Sequence, residues 1–331
     1  MRSIVDLREA SSARNSKSLV SKIEERMTKV LSDSGTVRPI LSYLISTGGK
    51  RLRPLLFIWA AQACAETTGS TLDEDSALDV AAAFEMVHVA SLVHDDIIDQ
   101  SPVRRGRPAV HTVWGVHSAV LAGDYLFTRA NRIALGYGMG IASLMSQAIE
   151  LTCEGEIAQN GRLFQADLTE REYLSHICRK TASLIGAACQ AGAIMGRGGP
   201  LLEENLLRFG VELGCAFQIV DDIIDITSPG ETSGKTQYND LRRGLLTLPL
   251  ILAMRSSAGD ILRKACAQRT ISTQDIMLVK KACMEEGCIE RAKQSASLLA
   301  KAAESRLAPL KPCDAKTALV RAARKAADRR F

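Results

Sequence analysis

Apolar residues recur every three or four positions along most of this chain, the spacing of a helix that buries one face. The pattern predicts helices over 16–31, 38–46, 76–99, 117–135, 140–160, 170–195, 201–226 and 240–254. Amphipathic helix is expected from 261 onward, ending in a Lys-, Arg- and Ala-rich surface helix over 321–331. Gly48-Gly49 closes the second helix, and Pro54 suits the first turn of another behind it. Loops are expected at 100–108, 196–200 and 228–239, where Gly and Pro collect. With 9 prolines and 4% aromatic residues against many Ala and Leu, the chain reads as all-α. No linker of disordered composition and no compositional shift interrupts it, so residues 1–331 read as a single domain.

Composition changes this picture only by exclusion. An apolar content of 46% with 24% charged residues is globular and supports a sizeable core. The net charge of +5 is mild, and no basic stripe with interleaved aromatics appears, so no nucleic-acid partner is expected. The best apolar run, 78–93, is broken by Asp79, Glu85 and His88, so no membrane span is expected. Residues 1–17 lack the apolar core of a signal peptide and carry Asp6 and Glu9. Nine cysteines form no CxxC pair, and Cys178, Cys189 and Cys215 fall within helical apolar patterns. Reduced, buried thiols in a soluble cytoplasmic protein fit this better than disulfides or zinc.

One pentapeptide occurs twice. Asp95-Asp96-Ile97-Ile98-Asp99 and Asp221-Asp222-Ile223-Ile224-Asp225 each end an apolar helical run. Residues i and i+4 of a helix share a face, so Asp95 pairs with Asp99, and Asp221 with Asp225. Carboxylates gathered across a bundle repel unless cations lie between them. Mg²⁺ suits such a set, because it takes oxygen ligands and is usually held by one or two carboxylates plus substrate phosphates. Two solvated acidic helix ends fit less well, since acidic C-termini oppose the helix dipole. Cations stand nearby in sequence. Lys50, Arg51 and Arg53 crowd a helix start, which points to an anionic ligand. His88 shares a face with Ser91, Asp95 and Asp99. Arg104 and Arg105 in the loop after the first motif present planar forks that match phosphate geometry. Lys180-Thr181 offers a cation and a hydroxyl, and Gln218 shares a face with Asp221 and Asp225.

The ordered pieces GGKRLRP (48–54), HDDIIDQSPVRRGRP (94–108), LAGDYL (121–126), RKTASLI (179–185), FQIVDDIID (217–225) and GK-x4-DL-x2-G-x2-TLP (234–249) resemble the trans-type isoprenyl diphosphate synthases, or polyprenyl synthetases. HVASLVHDDIID (88–99), CEGEIAQ (153–159) and the RRF ending resemble in particular the catalytic component of bacterial heptaprenyl diphosphate synthase. The resemblance implies one all-α bundle with the two acidic motifs facing each other across a central cavity. It implies Mg²⁺-dependent transfer of a prenyl chain from an allylic diphosphate, such as farnesyl diphosphate, to isopentenyl diphosphate. Carried over by position, Lys50, Arg53, His88 and Arg105 would hold isopentenyl diphosphate. Asp95, Asp99, Asp221 and Asp225 would hold Mg²⁺. Arg104, Lys180, Thr181, Gln218 and Lys235 would contact the allylic diphosphate. The family often has Gly where Tyr238 stands and Lys where Leu245 stands, which removes one diphosphate contact.

Ala90 and Ser91, five and four residues before Asp95, are small where short-chain enzymes of this family place a bulky aromatic. An open slot and a medium or long product follow, with Val87 further down and 125–133 as a facing wall. Phe84 and Phe127 read as core packing. The alternatives are a short-chain farnesyl or geranylgeranyl diphosphate synthase, a non-catalytic prenyl-diphosphate-binding subunit, and a terpene cyclase. Intact acidic motifs weigh against the second, and Lys50, Arg53 and His88 weigh against the third. The resemblance leaves a homodimer and a heterodimer with a small non-catalytic subunit both open.

Overall fold

The computed structural model describes residues 4–227 and 238–328, with side chains described from Lys17 onward except that of Asn239. Fifteen α-helices account for nearly all of the regular structure among these residues: α1 (Ile4–Val30), α2 (Arg38–Ser46), α3 (Leu52–Thr68), α4 (Glu74–Ile98), α5 (Val110–Gly136), α6 (Met139–Gly161), α7 (Glu170–Ile177), α8 (Ser183–Met195), α9 (Gly199–Thr227), α10 (Asn239–Arg242), α11 (Leu248–Ala253), α12 (Gly259–Gln268), α13 (Thr273–Glu285), α14 (Cys288–Arg306) and α15 (Asp314–Ala327). The rest is a 3-10 turn (Gly35–Val37), a π-helical turn (Cys178–Ala182) and a two-stranded hairpin, β1 (Val103–Arg104) with β2 (Arg107–Pro108). The fold is all-α.

Several boundaries differ from the periodicity. The helix expected over 117–135 reaches back to Val110 through a kink at Gly115 (φ 80, ψ 159). The helix expected over 170–195 is broken by a π-helical turn, Cys178–Ala182, between α7 and α8. The one expected over 240–254 divides into α10 and α11, because Pro249 near the start of α11 favours a fresh first turn. Of the polar loop at 228–239, residues 228–237 lie outside the described part of the chain.

The described residues group into two compact units. The first runs up to Ile149 and includes Ala187–Leu207 and Ala308–Leu319; the second holds Glu150–Gly186, the described part of Arg208–Leu307, and the described residues from Val320 on. The first unit is built on α4, which packs against α1, α3 and α5. Its start is fixed by Asp73, which accepts hydrogen bonds from Asp75 N (3.1 Å) and Ser76 N (3.3 Å), with Glu74 and Asp75 favourable beside the positive end of the dipole. Ala77, Val80 to Phe84, Met86, Val87 and Ala90 are all buried, so α4 is apolar nearly all round, as an enclosed helix must be. It is long and apolar enough to cross a membrane, but 67% of its most apolar window is buried inside the protein, which marks a core helix. Phe84 is fully buried against Phe57, with ring centroids 5.9 Å apart, and contributes packing. In the second unit the core joins Tyr173 and Ile177 of α7, Ile219 to Ile226 on α9, and apolar residues of α11, α13 and α14.

Candidate active site

In the first unit the turn 48–53 leads into α3 with Arg51 as the residue before the helix, in the left-handed region (φ 47). Arg51 is one of three cations that the sequence assigned to an anionic ligand, and the structure corrects this. Its guanidinium is 1% exposed and pairs with Glu85 and Glu24, each at 3.0 Å. Lys50 is exposed and Arg53 half-buried on either side of it. The hairpin brings in the second set of cations. Arg105 (φ 51) and Gly106 (φ 75) form its two-residue loop, both with the positive φ of a type I′ turn. Asn or Gly ordinarily fills the first place, so an arginine there is held against local preference. Arg107 anchors the hairpin: its Nη1 donates to Ser46 Oγ at 2.9 Å, and its guanidinium lies 4.2 Å over the Tyr43 ring. Tyr43 in turn donates to Pro108 O at 2.7 Å.

These elements converge on His88. Burial and the positive fields of Arg53, Arg105, Arg104 and Arg51 push its imidazole well below the usual range, so it stays neutral. Arg105 is lowered by its own burial and by Arg51. A small, mainly apolar cavity beside them is lined by Leu44, Val89, Leu92 and Val93, with Arg104 and Arg105 at its polar part.

About two turns further along α4 lies the first acidic motif. Asp95 is half-buried; Asp99 continues the helical geometry as its C-cap, its N–H donating to Asp95 O at 2.8 Å. The two carboxylates therefore keep the i, i+4 relation that the sequence implied. Asp96 behaves differently. It is 5% exposed, and its Oδ1 accepts from both Arg104 Nε and Nη2, each at 2.6 Å, a charge-assisted pair. Burial pushes its carboxyl up, against the pull of Arg104.

The second unit repeats this division. Asp221 and Asp225 are half-buried, whereas Asp222 is 4% exposed. Tyr173 donates to Asp222 Oδ2 at 2.5 Å, and Gln218 Nε2 donates to Oδ1 at 2.8 Å. Burial and the fields of Asp240 and Asp221 nevertheless push the Asp222 carboxyl well above its ordinary value. Asp240 N also donates to Asp225 Oδ2 at 3.4 Å. Carboxylates crowded in this way call for a cation.

Lys180 and Thr181 sit in the π turn, a distortion that recurs at functional sites. Thr181 Oγ1 donates to Gln218 Oε1 at 3.0 Å. The Lys180 ammonium is paired with Glu156 and donates to Gln159 Oε1 at 3.2 Å, an oxygen shared with His176 Nε2 at 2.8 Å. Burial, with Lys180 and Arg179 nearby, brings His176 down to about 4. Gly155 permits this layout, because a Cβ there would stand 2.7 Å from the Lys180 backbone N.

The structure thus gathers Lys50, Arg53, His88, Arg104, Arg105, Asp95 and Asp99 in the first unit, and Lys180, Thr181, Gln218, Asp221 and Asp225 in the second. Lys235 lies outside the described residues. Periodicity did not reveal Glu85, Asp96, Glu156 and Asp222, the buried carboxylates that hold the site's cations and amides. The only signal was the doubled Asp of each motif, which turns the second carboxylate about 100° away from the first. Among the described residues no three His, Cys, Asp or Glu side chains form a ready metal cage. Mg²⁺ does not need one, since pairs of carboxylates completed by phosphate oxygens are its usual protein site. The oxygen-only donors at 95/99 and 221/225 fit that ion.

An all-helical chain with cation clusters set beside paired carboxylates defines the class of the helical prenyltransferases. The sequence model of the polyprenyl synthetase family matches residues 35–284, and the chain belongs to that family. It is 38% identical over 243 residues to a short chain isoprenyl diphosphate synthase of Methanothermobacter thermautotrophicus, covering 71% of this chain and 73% of that protein. A crystal structure of a polyprenyl synthase from Caulobacter crescentus, complexed with calcium and isoprenyl diphosphate, superposes with a TM-score of 0.88 at 32% identity, covering 97% of both chains. Heptaprenyl diphosphate synthase from Staphylococcus aureus superposes with a TM-score of 0.86 at 29% identity, covering 95% of this chain and 98% of that one.

Proposed function

We propose that this prenyltransferase is a Mg²⁺-dependent trans-polyprenyl diphosphate synthase. It extends an allylic diphosphate, farnesyl diphosphate for preference, with successive isopentenyl diphosphates for quinone side chains. The observation that carries the reading is that each acidic motif keeps its i, i+4 carboxylates half-buried, Asp95 with Asp99 and Asp221 with Asp225, while the buried Asp96 and Asp222 hold Arg104 and Gln218 beside them. Lys50, Arg53, His88 and Arg105 hold the isopentenyl diphosphate. Arg104, Lys180, Thr181, Gln218 and Lys235 contact the allylic diphosphate, and Asp95, Asp99, Asp221 and Asp225 hold Mg²⁺. Bound there, the ion supplies charge neutralisation as the diphosphate leaves. Arg104 and Lys180 are already paired with Asp96 and Glu156, which keeps them placed, and a diphosphate binds by sharing them. Leu245 offers no ammonium, so the remaining cations carry the whole leaving group. The calcium and isoprenyl diphosphate bound to the Caulobacter protein support a divalent ion at this kind of site.

Product length rests on the small side chains of Ala90 and Ser91. Neither blocks an apolar slot between helices, where bundle sites lie, and a product of about six to eight isoprene units fits. The likeness to heptaprenyl diphosphate synthase supports this, while the likeness to the short chain synthase favours a second reading, a farnesyl or geranylgeranyl product. We read the two units as one polyprenyl synthetase domain, supported by a family match that runs through both. A cytoplasmic enzyme, as a homodimer or with a small non-catalytic subunit, completes the proposal.

The purified chain is incubated with farnesyl diphosphate, labelled isopentenyl diphosphate and Mg²⁺, and the products are sized by chromatography. A ladder ending at about six to eight units is expected from the open slot. A ladder that stops at farnesyl or geranylgeranyl length establishes the second reading. No incorporation sinks the stand-alone enzyme.

A further inference from the structure

The reaction outlined above makes no use of Glu85, although it is a deeply buried carboxylate beside the first site. It sits on α4 three residues before His88, one turn away on the same face, with its side chain 3% exposed. Oε1 accepts from Arg51 Nη1 at 3.0 Å, while Oε2 is buried and receives no hydrogen bond among the described residues. Arg51 directs its other donors to Glu24 Oε1 at 3.0 Å and Ile45 O at 2.9 Å, so its guanidinium is held from three directions. The backbone it fixes is left-handed, which a non-glycine residue keeps only where its surroundings over-determine it. Lys50 precedes that residue and Arg53 opens α3 behind it. Arg105 closes the other side of the turn: it donates to Gly48 O, and a Cβ on Gly49 would stand 2.5 Å from its Nη1. Glu85 also acts through space on Arg53 and Arg105, whose fields draw its carboxyl down while burial raises it.

We propose that Glu85 is a positioning residue for the isopentenyl diphosphate site: acting through Arg51, it pins the 48–53 turn and so sets where Lys50 and Arg53 present their charges. This rests on the reading of Lys50, Arg53, His88 and Arg105 as the isopentenyl diphosphate contacts. A charge-assisted hydrogen bond shielded from water is stronger than a neutral one. Without it the turn samples other conformations, and the ligand must order it on binding. The loss falls on the binding of one substrate. The groups assigned to the allylic diphosphate at Lys180 and Thr181 belong to the other unit and keep their own supports, Glu156 and Gln218.

Glu85→Gln keeps the shape and one acceptor but removes the charge. The expected result is a KM for isopentenyl diphosphate raised about 10- to 100-fold, the range set by loss of a charged hydrogen bond. Both kcat and the KM for farnesyl diphosphate stay within about twofold, as for an interaction that serves binding of one substrate. Arg51→Lys gives the same split, and the double variant is no worse than either single one, because both break the same link. Tighter isopentenyl diphosphate in Glu85→Gln overturns the proposal, since Glu85 would then act only as a brake on positive charge. Equal losses for both substrates with a lowered melting temperature overturn it too, leaving a pair that merely holds the fold. If Glu85→Gln does not fold, Arg51→Lys decides by the same KM split. Arg53→Ala and Lys50→Ala test the underlying site separately: if neither raises the isopentenyl diphosphate KM in an active enzyme, the site assignment fails, whatever Glu85 does.

Discussion

Asp95 and Asp96 are adjacent in sequence and face opposite chemistry. Asp96 is buried and paired with Arg104, whereas Asp95 shares its face with Asp99 at the end of α4. Asp95→Asn should lower kcat/KM about 10²–10³-fold, the scale for losing one preorganised charge-stabilising group, with the melting temperature unchanged. Asp96→Asn should instead lower stability, because it weakens the partner of a partly buried guanidinium; thermal melts and steady-state kinetics on both variants separate the two roles. His176 offers a pH test. Its folded value of about 4 lies below the unfolded 6.5, so the folded state binds fewer protons between them. The stability this represents is present above pH 6.5 and is lost as pH falls toward 4. Denaturant melts at pH 7 and 4.5 should show the wild type losing about 2 kcal/mol more than His176→Gln. Equal losses would mean a solvated ring. Tyr238 belongs at this scale as well. Its φ of 56 is a conformation that glycine holds without strain, and this tyrosine keeps it through burial and a 3.0 Å hydrogen bond from Lys280.

At the scale of elements, one tight constraint lies where α6 meets the π turn. Gly155→Ala would drive a Cβ to 2.7 Å from Lys180 N and 2.9 Å from Lys180 Cα, and backbone cannot give way cheaply. A loss of about 1–3 kcal/mol is expected, together with a fall in kcat as Lys180 and Thr181 shift. Gly140→Ala on the same helix meets nothing within 4 Å and should be neutral or stabilising by about 0.5–1 kcal/mol. Chemical denaturation of the pair reads the contrast directly. Helices were the legible part of the sequence: 38–46 matches α2, and 140–160 and 201–226 differ from α6 and α9 by one or two residues at each end. Apolar period and glycine punctuation are local, so local reading finds them. The π turn, the hairpin and the Gly115 kink were not legible, because each keeps an ordinary residue pattern and changes only backbone geometry. Ion pairs such as Arg51 with Glu85, 34 positions apart, carry no periodic signal at all.

Across the whole molecule, the acidic clusters carry a cost that a bound cation would remove. With carboxylates crowded at Asp222 and Asp240, and guanidiniums crowded at His88, the empty protein opposes like charge at both sites. Mg²⁺ together with inorganic pyrophosphate should therefore raise the melting temperature. A ligand at 100 times its Kd adds about 2.7 kcal/mol, or roughly 2–4 °C for a chain of this size. Either component alone should do much less. Chelator should abolish turnover while leaving helix content by circular dichroism intact, because the core of α4 needs no ion to stay buried.

The turn at Cys178–Ala182 has a further consequence, for how this chain can change over generations. A π turn amounts to one residue added to an α-helix, and each residue advances a helix by about 100°. Everything on α8 therefore stands out of phase with α7, and the apolar positions of the two segments have been chosen for that offset. Removing a single residue from 178–182 would restore regular hydrogen bonding and look harmless locally. It would also swing the buried face of α8, including Leu184, Ile185 and Cys189, away from its partners. Apart from Lys180 and Thr181, residues of this segment can be exchanged at a cost confined to their own contacts, but shortening it shifts the whole of α8. A lineage that acquired the insertion is committed to it, as a text whose later lines all rhyme with one misprint can no longer correct it.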